Sequence, residues 1–427
     1  MVKTNGVSRR AFLKAAAAAV AGPYMITSGA LGAGEKVAAS NRLTVAHIGI
    51  GNQGPGHFHY MLGNREAQIM AICDVKKWIR DKYVKAVEDQ YAKETAAGSY
   101  KGCASYKDYH DVMVRTDIDA VVIATPDHWH AIIGCAAARS GKDIYSEKPM
   151  TLDIREARTL ANYVRRYGVV FQTGSQQRSD YRFRYACELV RNRRIGKLLT
   201  VNVGVGGPSQ EKYLPEEPVP EGLDWEVWQG PAPWKPYNAE RCSGDYGGGW
   251  RHIRDYSGGM MTDWGAHHFD IAQWGMGMDE SGPVEIHAPD GKDYKTLTYK
   301  YANGVVMSHG GANGILFTGT DGKVEVNRGY LRTWPDDLAK VPIGPSEINL
   351  YKSNDHMGDW VQCIKARKRP ICDVEVGCRS ITVCHLGNIA YWLKRSLKWD
   401  PVKEEIIGDA EASRWLDRPK RAPYRIA

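Results

Sequence analysis

Two short segments carry side chains that could remove a proton and stabilise a developing charge. The stretch Glu147-Lys148-Pro149 lies at the carboxyl end of a predicted strand. Further along the chain, Asp263 and His267 are four residues apart, which places them on one face of a predicted helix. His267 titrates near neutral pH and suits a general base, Lys148 suits the stabilisation of an alkoxide, and Asp263 could orient His267 or hold a substrate hydroxyl. These roles predict the oxidation of an alcohol, in which a hydroxyl group loses its proton and its carbon loses a hydride.

A glycine-rich turn indicates what would accept that hydride. Gly49, Gly51 and Gly54 form a G-x-G-x-x-G pattern between an apolar run and a predicted helix. This pattern lets the backbone approach the pyrophosphate of a dinucleotide at the amino end of the helix. Asp74 ends the next predicted strand about twenty residues further on, where an acid binds the ribose 2′-hydroxyl and repels a 2′-phosphate. The sequence therefore predicts NAD rather than NADP, although Lys76 and the lysine after it could neutralise such a phosphate.

Further residues at the predicted strand ends and in the loops are expected to complete the site. The cofactor is expected to contact Gly49, Gly51, Asn52, Gln53, Gly54, Asp74, Thr125, Pro126, His128, His130, Glu147 and Lys148. The substrate is expected to contact Gln176, Arg178, Trp250, Arg251, Tyr256 and His268, with core packing as the alternative for Trp250 and His268. His128 and His130 could also be metal ligands, but no third ligand has a suitable spacing. We therefore predict no metal and expect these two histidines to shape the nicotinamide pocket.

The elements that must position these residues alternate strictly between strand and helix in the first part of the chain. Apolar runs typical of buried parallel strands cover 43–51, 67–75, 118–126, 142–149 and 169–174. Amphipathic segments between them predict helices, including a short one over 105–116. This alternation predicts an α/β domain over 40–174, a Rossmann fold with a doubly wound parallel sheet.

The sequence pattern changes after the last of these strands. A Pro- and Trp-rich loop over 208–250 is followed by hairpin-like strands with "ANG" and "TDG" turns. They predict an α+β domain over 175–355 with a mostly antiparallel sheet, which would hold the substrate; its role in subunit contacts is implied only by the resemblance described below. Helices predicted over 356–370 and 376–396 are expected to pack back on the core, in a C-terminal region that ends at residue 427.

The first residues carry a different kind of signal. The segment from Ser8 to Lys14 reads S-R-R-A-F-L-K, the pattern of a twin-arginine (Tat) export signal, and a short apolar stretch after it ends in small residues near 34. This stretch is too short and too rich in glycine for a stable membrane span. We therefore predict a signal over 1–34, recognition by the Tat machinery and a periplasmic or otherwise exported protein. A chance arginine pair before an Ala-rich helix is the alternative. Because the Tat route carries folded cargo, tightly bound NAD could be loaded before export.

The composition argues against several other classes of protein. The 427 residues are 43% hydrophobic and 25% charged, which is typical of a globular chain that can bury a large core. The formal net charge of +8 comes without any lysine- or arginine-rich run, so no nucleic-acid partner is implied. The nine cysteines include no C-x-x-C pair and indicate buried thiols rather than a redox or metal site.

Together these motifs resemble those of the Gfo/Idh/MocA oxidoreductase family. The resemblance covers about 40–395 and is carried by "GIGNQG", Asp74, "ATPDHWHA", "SEKPMT" and the pair Asp263 and His267. It implies a Rossmann domain followed by an open antiparallel sheet, a cis peptide bond before Pro149 and a homo-oligomer. With the predicted export signal, the chain is similar to the exported branch of this family around glucose-fructose oxidoreductase.

Several reactions stay open under this resemblance. In the first, a sugar or sugar derivative is oxidised at a secondary or anomeric hydroxyl, and reduction of a second carbonyl compound restores the cofactor. In the second, oxidation at C3 of a glycoside is followed by elimination, addition of water and reduction, as in the NAD-dependent glycosidases of this fold. Those glycosidases often lack the lysine found here as Lys148, which favours the first reaction. In a third, a 3-dehydrogenase passes electrons to a separate carrier. A non-catalytic, exported sugar-binding protein is the alternative from another class.

Overall fold

A computed structural model describes residues 41–426, so the predicted export signal over 1–34 lies outside the described residues. In the described part, six strands form a parallel sheet in the order β3-β2-β1-β4-β5-β6. They are β1 Leu43–Ile48, β2 Ala67–Cys73, β3 Ala104–Tyr106, β4 Ala120–Ile123, β5 Asp143–Ser146 and β6 Phe171–Thr173. This strand order, with β1 beside β4, confirms the predicted doubly wound sheet.

Apolar side chains cover both faces of this sheet. Along β4, Val121 and Ile123 belong to one apolar core, whereas Val122 belongs to a second core on the opposite face. Burial on both faces explains why the central strands read as continuous apolar runs rather than as alternating patterns. The helices of this part are α1 Gly54–Gly63, α2 Lys77–Gln90, α3 Ala92–Ala96, α4 His110–Met113, α5 Asp127–Arg139 and α6 Ile154–Tyr167.

One strand of this sheet is not predicted by the sequence. Ala104–Tyr106 forms the edge strand β3 and pairs with Ala71–Cys73, at the start of the segment for which a helix over 105–116 is expected. The helix in that segment is only four residues long. A three-residue edge strand with one neighbour and no fully buried side chain leaves no hydrophobic alternation to detect.

A second sheet follows and is mostly antiparallel, as predicted. Within residues 41–426 it has nine strands in the order β13-β12-β11-β7-β10-β9-β8-β14-β15, and of its neighbouring pairs only β7 and β10 run parallel. The strands are β7 Leu198–Gly204, β8 Glu285–His287, β9 Thr298–Lys300, β10 Val306–His309, β11 Gly314–Gly319, β12 Lys323–Asn327, β13 Tyr330–Trp334, β14 Leu397–Asp400 and β15 Glu405–Ile406.

Eight further helices accompany this sheet in the described residues. They are α7 Tyr181–Arg191, α8 Trp225–Gln229, α9 Ala239–Cys242, α10 Met260–Asp263, α11 Gly265–Met276, α12 His356–Ala366, α13 Val374–Leu393 and α14 Ala410–Ser413. Helix α11 packs on β7 and β11, and the largely buried α13 packs on both α6 and α11. The two sheets are therefore joined through buried helices rather than by a flexible linker. Beyond α13, the chain adds β14 and β15 to the second sheet, whereas the sequence analysis expects only helices in the C-terminal region.

The Pro- and Trp-rich segment is ordered around its own small apolar core. Trp225 and Trp228 stack with ring centroids 4.8 Å apart, and Trp228 meets Tyr256 edge to face at 5.0 Å. Val75, just after β2, packs against this cluster. The segment thereby lies against the carboxyl edge of the first sheet, where a doubly wound fold binds its ligands.

Three further findings concern the described residues as a whole. None of the helices within 41–426 is long and apolar enough to cross a membrane. In the same range, no three His, Cys, Asp or Glu side chains are grouped so that they could hold a metal ion. All nine cysteines lie in this range and are free thiols, eight of them buried.

Candidate active site

The glycine turn between β1 and α1 has the geometry that a dinucleotide requires. Gly49 has a φ of +79°, and a Cβ there would lie 2.8 Å from the Thr125 side chain. A Cβ on Gly54 would lie 3.0 Å from the carbonyl oxygen of Gly49, so the third glycine allows the close packing of helix on turn. A Cβ on Gly51 would meet nothing within 4 Å, which leaves open space beside the amino end of α1. That open space is where the backbone can approach a pyrophosphate.

Asp74 is held at the far side of this turn by backbone groups. Its Oδ2 accepts a hydrogen bond from the Ile50 amide (2.9 Å), and its Oδ1 accepts one from the Lys76 amide (2.9 Å). Burial raises the pKa of Asp74 above its ordinary value, against the opposing effect of these two bonds. The carboxyl is therefore fixed in direction, and each oxygen still has a lone pair for a ribose hydroxyl.

A cavity of about 410 Å³ extends from this turn to the predicted catalytic residues. Its volume lies in the range of natural small-molecule sites. The predicted residues that line it are Gly49, Gly51, Asn52, Gln53, Asp74, Thr125, Pro126, Glu147, Lys148, Trp250, Arg251 and Asp263. The structure thus brings both predicted groups, the glycine turn and the charged residues, to one site.

A loop over residues 243–250, here called the covering loop, contacts the glycine turn from the other side. The Asn52 amide donates a hydrogen bond to the Gly244 carbonyl, and the Tyr246 hydroxyl donates to the Gln53 side chain (3.2 Å). The Arg251 guanidinium donates to the same Gly244 carbonyl (2.6 Å) and lies 4.6 Å from the centre of the Tyr246 ring. The sequence analysis predicts a loop over 208–250 but not its contacts with the glycine turn, because the contacting residues are about two hundred positions apart in the chain.

The reaction end of the cavity is built around one carboxylate. Lys148 Nζ donates to Asp263 Oδ1 at 2.8 Å, and Arg251 Nε lies 3.3 Å from the same oxygen. The Lys148 and Asp263 side chains are only 12% and 5% exposed. Burial acts to raise the pKa of Asp263, but the charges and hydrogen bonds of Lys148 and Arg251 outweigh it and hold the pKa below its ordinary value. The carboxylate therefore stays ionised and fixes the position of the lysine.

Glu147 has a different role from its neighbour. Its carboxylate accepts or shares hydrogen bonds with His57 Nε2 (2.7 Å), the Gln176 amide (2.9 Å) and the Lys148 backbone amide (3.1 Å). Burial acts to raise its pKa, yet the bond and charge of His57 lower it below the ordinary value. Gln176, predicted to bind substrate, instead supports Glu147 and the Tyr145 hydroxyl. The peptide bond between Lys148 and Pro149 is cis, as the resemblance implied.

His267 lies beside this cluster but does not form part of the cavity wall. It follows Asp263 across a break between α10 and α11 at Trp264, whose carbonyl accepts the His267 amide at 3.0 Å. The ring is 4% exposed, and its Nδ1 has no hydrogen-bond partner among the described residues. Burial, and then the positive charges of Lys148 and Arg328, lower the pKa of His267 well below its ordinary value. The imidazole is therefore neutral, and the lowered pKa makes it a weaker base than an ordinary histidine.

Several predicted site residues are packed away from the cavity. Arg178 is buried in a bidentate ion pair with Asp270 and a second pair with Asp279, so its charge is already compensated and it does not face a substrate. Tyr256 is fully buried in the tryptophan cluster, and His268 Nδ1 lies 3.2 Å from the Gly204 carbonyl. Arg178 and Tyr256 are corrections to the predicted substrate site, and for His268 the structure agrees with the core packing that the sequence analysis gave as the alternative. They arise because a polar residue near a strand or helix end can equally satisfy an internal partner.

His128 and His130 sit behind the cavity rather than in its wall. His128 Nε2 contacts the Trp228 carbonyl (3.0 Å). The two ring nitrogens of His130 contact the carbonyls of Pro149 (2.7 Å) and Thr125 (2.8 Å). These histidines bear on the cofactor site only through the backbone that they hold.

Two residues that the sequence analysis did not single out bear on the site: Asp127 lines the cavity, whereas Arg328 acts on His267 through its charge without lining the cavity. Asp127, at the amino end of α5, lines the cavity with its Oδ2 bonded to the Ser257 hydroxyl (2.6 Å) and its Oδ1 without a partner among the described residues. Burial raises the pKa of Asp127 to about 7. Arg328, in the turn between β12 and β13, lies with its guanidinium 4.6 Å from the centre of the Trp264 ring. The only signal for Asp127 was its place in the "ATPDHWH" segment at the end of β4.

A parallel sheet with a dinucleotide turn and a charged cluster facing it defines the class of two-domain nucleotide-dependent oxidoreductases. Comparison with protein-family models identifies the family within this class. Residues 43–175 match the model described as an oxidoreductase family, NAD-binding Rossmann fold, and residues 207–426 match the model of the C-terminal alpha/beta domain of the same family. The chain belongs to the Gfo/Idh/MocA oxidoreductase family.

Individual relatives are more distant. Myo-inositol 2-dehydrogenase of Thermotoga maritima is 21% identical over 390 residues, which cover 86% of this chain and the whole of that protein. A glycosyl hydrolase family 109 protein of Shewanella pealeana is 31% identical over 164 residues, only 35% of either chain. Among solved structures, aldose-aldose oxidoreductase from Caulobacter crescentus superposes with a TM-score of 0.56 at 18% identity, over 84% of this chain and 99% of that one.

Proposed function

We propose that this chain is an NAD-dependent oxidoreductase that oxidises a secondary or anomeric hydroxyl of a sugar or sugar derivative. One observation carries the proposal: the buried ion pair of Lys148 and Asp263 lines the same cavity as the dinucleotide turn. A charged amine fixed beside a nicotinamide site is suited to an alcohol that becomes an alkoxide on its way to a carbonyl group.

The residues of the nucleotide end fit NAD. Open space at Gly51 admits a pyrophosphate, and the fixed Asp74 carboxylate can accept hydrogen bonds from a ribose but repels a 2′-phosphate. NAD is therefore proposed over NADP. The nucleotide, when bound, accepts the hydride from the substrate carbon. Contacts of the covering loop with Asn52 and Gln53 support tight retention.

The chain's own side chains then have three tasks. Lys148 Nζ binds the reacting hydroxyl oxygen and stabilises its negative charge as the proton leaves. His267, neutral and with an unpartnered ring nitrogen, accepts that proton. Asp263 holds Lys148 in place, and Arg251 contacts the same Asp263 oxygen. Low exposure of the whole cluster strengthens each of these charge interactions.

The predicted Tat signal over 1–34 supports an exported enzyme that recycles its own cofactor. An exported chain has no cellular pool with which to exchange NADH. We therefore propose that NAD enters the folded chain before export and is reoxidised on the protein, by reduction of a second carbonyl compound. The proposed partners are a carbohydrate substrate, the Tat machinery and further copies of this chain in a homo-oligomer.

The test begins with protein purified without added nucleotide. The nucleotide released by denaturation is identified by mass, and the intact holoprotein is then mixed with a panel of sugars while the absorbance of reduced nicotinamide is followed. We expect bound NAD that one sugar reduces and a second sugar reoxidises. A chain that carries no nucleotide, or whose NAD no sugar reduces, would refute the proposal. Oxidation by the wild-type chain that is lost in both Lys148→Ala and His267→Ala would support the proposal and eliminate the non-catalytic sugar-binding protein. If oxidation persists in both variants, these residues are not the catalytic pair.

A redox-neutral NAD-dependent glycosidase is the second candidate. The observation that favours it is the 31% identity to a glycosyl hydrolase family 109 protein, over about a third of each chain. In this reaction a glycoside would be cleaved without net formation of NADH, and deuterium from the solvent would enter at C2 of the sugar. If common aryl glycosides are neither cleaved nor labelled with deuterium at C2, this candidate is excluded.

A further inference from the structure

The guanidinium of Arg328 has no acidic partner within the part of the chain that the structure describes. It lies in the turn between β12 and β13, and no carboxylate of the described residues is within ion-pair distance of it. Its terminal amino groups make no hydrogen bond to the described residues, while nearby Asp263 is engaged by Lys148 and Arg251. Burial lowers the pKa of Arg328, against the attraction of Asp263 and Glu147. Arg328 is an exposed residue, and its guanidinium is covered on one face by Trp264 and has no direct counterion among the described residues.

Two neighbours fix the direction of this side chain. The Trp264 ring supports the guanidinium from one face at 4.6 Å. The Gln177 amide, oriented to satisfy both of its ends, accepts from Arg328 Nε at 3.2 Å and donates to the His267 carbonyl at 3.3 Å. With Nε occupied, the two terminal amino groups form a fork that matches a planar carboxylate.

The same residues connect this fork to the reaction centre. Trp264 lies between Asp263 and His267 in the chain, and its ring centre is 6.2 Å from that of His267. The charge of Arg328 contributes to the low pKa of His267, so the guanidinium lies within electrostatic reach of the imidazole. The neighbouring His267 ring has a buried Nδ1 without a hydrogen-bond partner among the described residues.

We propose that Arg328, held on Trp264, binds the carboxylate of an acidic sugar, so that the preferred substrate is a uronic or aldonic acid rather than a neutral sugar. This inference rests on the proposed function, which it deepens by naming the substrate class. The carboxylate would replace water at the fork and form two charge-assisted hydrogen bonds. Lys148 would hold the reacting hydroxyl at the other end of the same molecule.

The experiment compares matched sugars on the full-length holoprotein. Glucuronate, glucose and glucose 6-phosphate, and the corresponding galactose series, are tested for binding by calorimetry and for reduction of bound NAD. We expect kcat/KM and affinity for the uronate to exceed those for the neutral sugar by about tenfold or more, because a hydrogen bond to a charged group contributes a factor of about ten to a hundred. A tenfold preference for the phosphate would overturn the assignment to a carboxylate.

Variants separate recognition from general damage. In Arg328→Gln, uronate affinity should fall by about tenfold or more while that of the neutral sugar stays within about twofold, and Arg328→Lys should recover only part of the loss because lysine lacks the fork. Arg332→Gln serves as the matched control, since its guanidinium is 64% exposed on the neighbouring strand. An equal loss for both sugars in Arg328→Gln, or no loss for either, would overturn the inference. Uronate binding that depends on Arg328 without any reduction of NAD would support the inference while refuting the proposed oxidoreductase function.

Discussion

The two ends of the cavity are built in different ways. At the nucleotide end, backbone geometry dominates: Gly49 and Gly51 shape the turn, and two backbone amides hold Asp74. At the reaction end, side-chain charge dominates, and Lys148 and Asp263 meet across a sequence separation of 115 residues. The nucleotide end is formed mainly by one strand–turn–helix unit. The reaction end forms only when both sheets have assembled. Changes at the nucleotide end should therefore alter affinity and folding, and changes at the reaction end should alter rate.

The sharpest test of this difference is Lys148→Ala. Loss of the ammonium group removes the charge that stabilises the alkoxide, and kcat should fall by about 10²–10³-fold. Binding of NAD, measured by calorimetry on the nucleotide-free chain, should change little. Lys148→Arg keeps the charge and should retain part of the rate. If NAD affinity falls together with the rate, the two ends are not separable.

The corresponding change at the other end is Asp74→Ser. It removes the acceptor of the ribose hydroxyl and the repulsion of a 2′-phosphate, so affinity for NAD should fall by about ten- to a hundredfold while affinity for NADP rises. Titration of both nucleotides against the nucleotide-free protein measures this. Asp81→Asn, at a largely exposed position in α2, is the control and should leave both affinities unchanged. Unaltered preference in Asp74→Ser would contradict the assigned role.

Two glycines separate folding from binding within the nucleotide end. Gly49→Ala forces a side chain into a left-handed backbone and against Thr125, so the free energy of unfolding should fall by about 1–3 kcal/mol or more. Gly51→Ala should leave that free energy within about 0.5 kcal/mol and weaken NAD binding, because its Cβ enters only the nucleotide space. Urea denaturation of both variants measures the free energy of unfolding, and nucleotide titration measures their affinity for NAD. Equal stability of the two would show that the turn tolerates a side chain at either position.

Asp127 lines the same cavity, and its predicted effect depends on pH. Burial raises its pKa to about 7, the charge of Asp263 adds to the rise, and the Ser257 hydroxyl, Arg251 and Lys148 oppose it. A raised pKa favours folding while the carboxyl is protonated, so this contribution is lost as the pH rises from about 4 to about 7. Relative to Asp127→Asn, the wild-type chain should lose up to about 1.4 kcal/mol of unfolding free energy per pH unit in that window and nothing further above it. A pH-independent difference between the two proteins would show that Asp127 ionises normally.

The comparison of the two ends also explains what the sequence could reveal. Gly49, Gly51, Gly54 and Asp74 form a local pattern, so their roles follow from spacing along the chain. The pairing of Lys148 with Asp263 was not predicted, since the sequence analysis expected Asp263 to orient His267 or hold a substrate hydroxyl. No local pattern links residues so far apart. Composition and periodicity were sufficient for the character of both sheets, but not for the edge strand β3 of the first sheet or for β14 and β15 of the second.

The errors share a physical cause. Arg178, Gln176 and His130 have the chemistry of ligand-binding residues, but the sequence cannot show that Asp270, Glu147 and two carbonyls already use them. The covering loop and Arg328 were missed for the opposite reason. Their partners come from distant turns, and a polar loop in sequence gives no sign of what it will cover.

Arg251, which directly follows the covering loop, contacts both ends of the cavity. The Arg251 guanidinium donates at once to the Gly244 carbonyl and towards the Asp263 carboxylate. To lift the loop from the glycine turn, the chain must free the arginine from Gly244 and so disturb the carboxylate that positions Lys148. We therefore expect Arg251 to couple nucleotide release to the position of Lys148. The contacts that place Lys148 for catalysis are also those that keep the covering loop on the glycine turn.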